Sequence, residues 1–132
     1  MTDVKLTATV LQMLVRLAGL ILIVLGVLFW IGSALSLIPI HMLVGLILVL
    51  ALWGVAGVGA RAGLPGPLVG LAVIWGLIVL ILGMTQQALF PGGSHWIVQV
   101  VHLLVGLAAI GLSERLASSI KRSGTTRQPK IA

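Results

Sequence analysis

The sequence contains no cysteine, which excludes disulfides, thiolate metal sites and thiol nucleophiles. Acid is nearly as scarce: Asp3 and Glu114 are the only carboxylates in 132 residues. Hydrolytic chemistry of the Ser-His-Asp kind therefore has no acid within reach of the histidines at 41 and 102. Charge of either sign is missing from two long stretches, Leu17–Ala60 (44 residues) and Ala62–Ser113 (52 residues), with Arg61 between them. Charged residues make up 8% of the chain and hydrophobic ones 60%. A soluble domain of this size has nowhere to hide so much apolar surface.

A helix needs roughly 20 apolar residues to cross the hydrocarbon of a bilayer, so each stretch has room for two crossings. Backbone polar groups cannot stay unpaired in lipid, and the alternation of a membrane β-strand is absent, so the crossings are expected to be helices. Breakers divide the stretches at Ser33–Pro39 and at Phe90–Ser94, while Gly63-Leu64-Pro65-Gly66-Pro67 joins the two pairs. The pattern predicts helices over 10–33, 38–60, 67–88 and 95–118. A cleavage site at Gly32-Ser33-Ala34 is weighed against a preceding apolar run longer than a usual signal-peptide core, and the first helix is expected to be retained.

The cations set the expected orientation. Lys5 and Arg16 flank the first helix, Arg61 lies in the middle loop, and Arg115, Lys121, Arg122, Arg127 and Lys130 close the chain. The loops around residues 35 and 92 carry none. Under the positive-inside rule both termini and the middle loop are cytoplasmic, which suits a prokaryotic inner membrane or a plasma membrane. The net charge of +6 is thus a topology signal, and no nucleic-acid partner is expected. The tail from Ser118 onward is expected to lie against anionic headgroups. Arg16 with Gln12 is expected to snorkel to headgroups, and Trp30 and Trp96 read as interface anchors.

The two halves of the chain repeat each other. Gly19-Leu-Ile-Leu-Ile-Val-Leu-Gly26 matches Gly76-Leu-Ile-Val-Leu-Ile-Leu-Gly83, and His41-Met-Leu-Val-Gly-Leu46 matches His102-Leu-Leu-Val-Gly-Leu107. The expected fold is an all-α membrane protein, a four-transmembrane-helix, up-down-up-down bundle of two tandem-duplicated hairpins. Residues 1–60 form the first hairpin, 61–118 the second, and 119–132 a basic cytoplasmic tail. Two-helix units enter the membrane in the same sense, so they are related by a pseudo-two-fold axis along the membrane normal. That symmetry places His41 and His102 at similar depth on helices two and four, which are diagonal in such a bundle. The glycine pairs, each on one stripe of its helix, are expected to let helices one and three pack closely.

Histidine inside a membrane segment is costly and therefore a candidate for function. On the fourth helix His95, Gln99, His102 and Gly106 share one face at the helical period. On the second, His41 and Gly45 do. Each histidine has glycine one turn deeper, leaving space for a flat object against the backbone. Paired imidazoles with adjacent glycine suit bis-histidine ligation of haem b. The motifs His41-x-x-x-Gly45 and His102-x-x-x-Gly106 resemble the four-helix core of membrane b-type cytochromes, in which histidines on the second and fourth helices hold haem. The resemblance implies His41 and His102 as axial ligands of the iron, with Gly45, Gly106, Gln99 and His95 around the cofactor. It implies electron transfer with a membrane redox partner. The larger quinol-oxidising cytochromes place two histidines on each of those helices, whereas this chain has one deep histidine on each, enough for one haem near the outer face.

Two other readings stand beside it. The histidines are equally suited to structural hydrogen bonds, in a non-catalytic or assembly subunit of a larger membrane complex, homo- or hetero-oligomeric. They also suit a bundle holding quinone or another small ligand. The length resembles the small multidrug exporters, but those depend on an acidic residue embedded in the first helix, and this chain has none there.

Overall fold

The computed structural model describes residues 2–123; residues 124–132, which include Arg127 and Lys130 of the expected basic tail, lie outside the described residues. Four long helices dominate: α1 (Thr2–Trp30), α2 (Ile38–Arg61), α3 (Gly66–Thr85) and α4 (His95–Ser123), with single 3₁₀ turns at Leu35–Leu37 and Gln86–Ala88. No strand occurs among the described residues. All four helices are long and apolar enough to cross a membrane. Large apolar side chains line their outer faces, with Leu20 61%, Ile74 58% and Leu104 57% exposed, an extent of apolar surface that marks contact with a membrane or another protein.

Two of the connections are set by glycine. At the end of α1, Gly32 has φ +74°, its N–H donates to the Phe29 carbonyl, and the Ser33 N–H donates to Leu28. At the end of α2, Gly63 has φ +81°, its N–H donates to Ala60, and the Leu64 N–H donates to Gly59. Both are Schellman closures, in which a left-handed residue lets the chain satisfy its last carbonyls and turn. Leu64 then folds back onto Gly59, the hydrophobic contact that accompanies such a cap. Prolines 39 and 67 stand in the first turns of α2 and α3, where a missing N–H costs nothing.

Two helices overrun their expected ends. α1 begins at Thr2 rather than near 10, and α4 continues to Ser123 rather than 118. The extra turns are polar in sequence, but their inner faces are buried. Ala8 is fully buried, and Leu116, Ala117 and Ile120 lie in the same core cluster. Thr7 and Thr9 donate to carbonyls four residues back, of Asp3 and Lys5, which fits polar side chains into a helix.

α1 packs on α2 and α4, α3 packs on the same two, and α2 also touches α4, whereas α1 and α3 nowhere approach within 8 Å, Cα to Cα. The core sits at one end. Every buried residue of α2 lies at or after Leu48, and those of α4 lie from Ala109 to Ile120 except Val98. This is the end that carries the described cations. Toward the opposite end, the loops at 31–37 and 86–94, the helices stand apart around a hollow.

A polar cluster ties α1 to α4 at the packed end. Arg16 donates to Glu114 through Nε (2.5 Å) and Nη2 (2.7 Å), Gln12 Nε2 donates to the same carboxylate, and Lys121 Nζ donates to Gln12 Oε1 at 2.7 Å. Arg16 and Gln12 thus have a partner on α4, which the snorkelling expectation did not include. A guanidinium held on two nitrogens by one carboxylate is oriented as well as attracted.

Candidate functional site

The hollow is a cavity of ≈ 480 Å³ lined by all four helices. His41 reaches it from the second turn of α2, just beyond Pro39. His102 reaches it from α4, two turns along from His95. Their ring centroids are 6.2 Å apart at an interplanar angle of 45°. Phe29 of α1 meets His41 edge-on at 5.4 Å.

Two glycines, Gly26 on α1 and Gly83 on α3, line the cavity beside the histidines. A Cβ added to Gly26 on α1 would lie 4.0 Å from His41 Cε1, and one on Gly83 of α3 would lie 3.5 Å from His102 Cε1. Each histidine therefore leans on the glycine of the preceding helix. This corrects the expected role of the glycine pairs, since they do not join helices one and three. Gly19 receives Ile110 of α4, Gly76 receives the Trp53 indole of α2, and Gly26 and Gly83 bound the cavity. A glycine shows in sequence that something approaches, and the helix that approaches is decided by tertiary packing.

The Nδ1 atoms of His41 and His102 are both buried with no hydrogen-bond partner. A buried polar atom in that state costs on the order of 1–3 kcal/mol and calls for an explanation such as a ligand, ion or water. Of the other residues expected at a site, Gly45, Gly106, Gln99 and His95 line the same cavity. His95 lies toward its mouth with Nδ1 3.2 Å from the Leu89 carbonyl. Gln86 and Gln87 also line it; in sequence they stand only as polar loop residues, and the 3₁₀ turn after α3 brings them over the opening. Among the described residues no Lys, Arg, Asp or Glu lines the cavity. Among the described residues no three His, Asp or Glu side chains group to hold a metal ion.

The lining also has a register. Six α1 positions, from Leu22 to Trp30, recur 57 residues later from Val79 to Gln87. Five α2 positions, from Ile38 to Leu46, recur 61 residues later from Gln99 to Leu107. Only Gly19, Leu35, Leu48, His95 and Ile110 lack a counterpart in the wall. The two hairpins thus present the same positions to the cavity.

The arrangement offers an apolar chamber with two imidazoles in its wall, glycines beside them and neutral hydrogen-bonding groups among its lining residues. Comparison of the chain with protein-family models, curated proteins and solved structures gives no match.

Proposed function

We propose that this chain is an integral membrane protein that holds one b-type haem between His41 and His102 and passes electrons to a membrane redox partner. The observation that carries this reading is the pair of imidazoles, brought from α2 and α4 into one cavity with ring centroids 6.2 Å apart, near enough for both to reach one bound group. The residues present fit such a group. Both imidazoles line one largely apolar cavity, and Gly26 and Gly83 carry no side chain to crowd their rings. When bound, the cofactor supplies one-electron transfer. The protein's part is to hold two neutral imidazoles, exclude water with the apolar wall, and offer Gln86, Gln87, Gln99 and His95 as hydrogen-bonding groups at the mouth.

The proposed architecture is an up-down-up-down bundle of two tandem-duplicated hairpins, with both termini on the cytoplasmic side of a prokaryotic inner or plasma membrane. The shared register of the cavity lining supports the duplication, and the cation-free outer loops support the orientation. A second reading is a structural or assembly subunit of a larger membrane complex. The lack of any cation in the cavity wall favours it, since carboxylates on a bound cofactor usually call for a charged partner.

The test is an absorption spectrum of the detergent-purified protein, oxidised and then reduced with dithionite. A Soret band with sharp reduced α and β bands, lost in His41→Ala and His102→Ala, is the expected result. A colourless protein from cells with ample haem would sink the cytochrome reading and leave the scaffold, or a site for a colourless flat ligand such as a quinone.

A further inference from the structure

A second hollow lies on the outside of the bundle. It is a trough of ≈ 300 Å³ between α3 and α4, lined by Leu71, Trp75, Ala108, Gly111, Leu112 and Arg115. It shares no residue with the histidine cavity. Trp75 is fixed as one wall, because its indole N–H donates to the Val105 carbonyl of α4 at 3.0 Å. Ala108 and Gly111 keep the α4 side shallow, and an added Cβ at Gly111 would meet nothing within 4 Å. Every lining residue is apolar except Arg115.

Arg115 differs from the other arginine of this level. Arg16 is engaged by Glu114, one of only two carboxylates in the chain. Among the described residues no hydrogen bond or ion pair engages the Arg115 guanidinium. An apolar trough with an unmatched cation at one end matches a molecule with a chain at one end and an anion at the other. The cation stands on the helix next to Glu114, at the end of the bundle that the charge distribution assigns to the cytoplasmic side.

We infer that this trough binds one anionic phospholipid of the cytoplasmic leaflet, with an acyl chain along Trp75 and Gly111 and the headgroup phosphate at Arg115. The inference rests on the membrane placement proposed above and not on the haem. An arginine offers a phosphate a planar fork of donors. A cation near an anionic headgroup contributes about 1 kcal/mol, which corresponds to about a fivefold preference.

The test is native mass spectrometry of the full-length protein in detergent, with phosphatidylglycerol or phosphatidylcholine added in equal amount. The expected result is about fivefold greater retention of phosphatidylglycerol, reduced to parity in Arg115→Gln and unchanged in Arg122→Gln. Gly111→Leu fills the trough from an open position and is expected to lower retention of both lipids without loss of the fold. Equal retention of the two lipids by the unaltered protein overturns the inference. So does an equal loss in Arg122→Gln, which would mark a general charge effect, or displacement by inorganic phosphate alone, which would mark an anion site that ignores the trough. A chain that leaves the membrane without detergent would overturn the membrane placement itself, and colour in the sample bears only on the haem.

Discussion

Replacing His102 by leucine should change stability with opposite sign according to whether the cavity is filled. In the empty protein His102 keeps Nδ1 buried and unpartnered, a state that costs about 1–3 kcal/mol. Leucine is apolar and of similar bulk, so His102→Leu removes that cost and should stabilise the protein by about that amount. In a protein loaded with haem, as proposed, the histidine would be a ligand to the cofactor. A group held at a free concentration a thousand times its Kd adds about 4 kcal/mol to stability, and losing it outweighs the gain. The assay is reversible unfolding in mixed micelles of the unaltered protein and His102→Leu, each from a haem-replete and a haem-deficient host. The variant should be less stable than its parent in the first case and more stable in the second. Stabilisation in both hosts refutes the cytochrome reading. Destabilisation in the haem-deficient host refutes the account of the buried nitrogen, and would mean that His102 has a partner worth more than its burial costs. His41→Leu should behave alike, with a smaller gain if the lost edge contact of Phe29 counts against it.

The glycines separate the packed interior from the hollow. Gly83→Leu should abolish any bound colour with little loss of stability, whereas Gly76→Leu, where even a Cβ would run into the Trp53 indole that is held on the Val73 carbonyl, should cost about 1–3 kcal/mol; equal stability loss in the two variants would contradict the cavity. Glu114→Gln leaves Arg16 without its charge partner and, because both side chains are partly exposed (51% and 35%), should destabilise the protein only slightly, read by the same unfolding assay; a gain in stability would mean that the cluster does not tie α1 to α4. Because the chain has no cysteine, single replacements report topology directly: Ser36→Cys and Ser94→Cys should label with an impermeant maleimide from outside intact cells, and Ser119→Cys should not. The reverse pattern would overturn the orientation.

The existence of four helices was legible because two runs free of charge, each split by a Pro- or Gly-bearing loop, leave few other solutions. Their outer ends were legible to within three residues, since Ser33–Pro39 and Phe90–Ser94 are local signals, while the helices close at Trp30 and Thr85 rather than at 33 and 88. The start of α1 was not. Thr2–Thr9 reads as polar, and only the burial of Ala8 against the core explains why the helix extends there. The pairing of Arg16 with Glu114 joins residues 98 positions apart and has no local signature in either helix. The histidines are a middle case. Their helix numbers and shared motif suggested a diagonal pair, but the glycines against which they rest, Gly26 and Gly83, had been assigned to a contact between helices that do not touch. Periodicity says which residues share a face; which neighbour covers that face is settled by how four helices pack at once.

The uneven core divides the molecule into two unlike ends. Buried side chains run from Leu48 to Gly59 on α2 and from Ala109 to Ile120 on α4, whereas the far end, near the loops at 31–37 and 86–94, buries few. Substitutions in those loops therefore touch few of the residues on which folding depends, and the far end is free to vary in shape and chemistry while the bundle is kept.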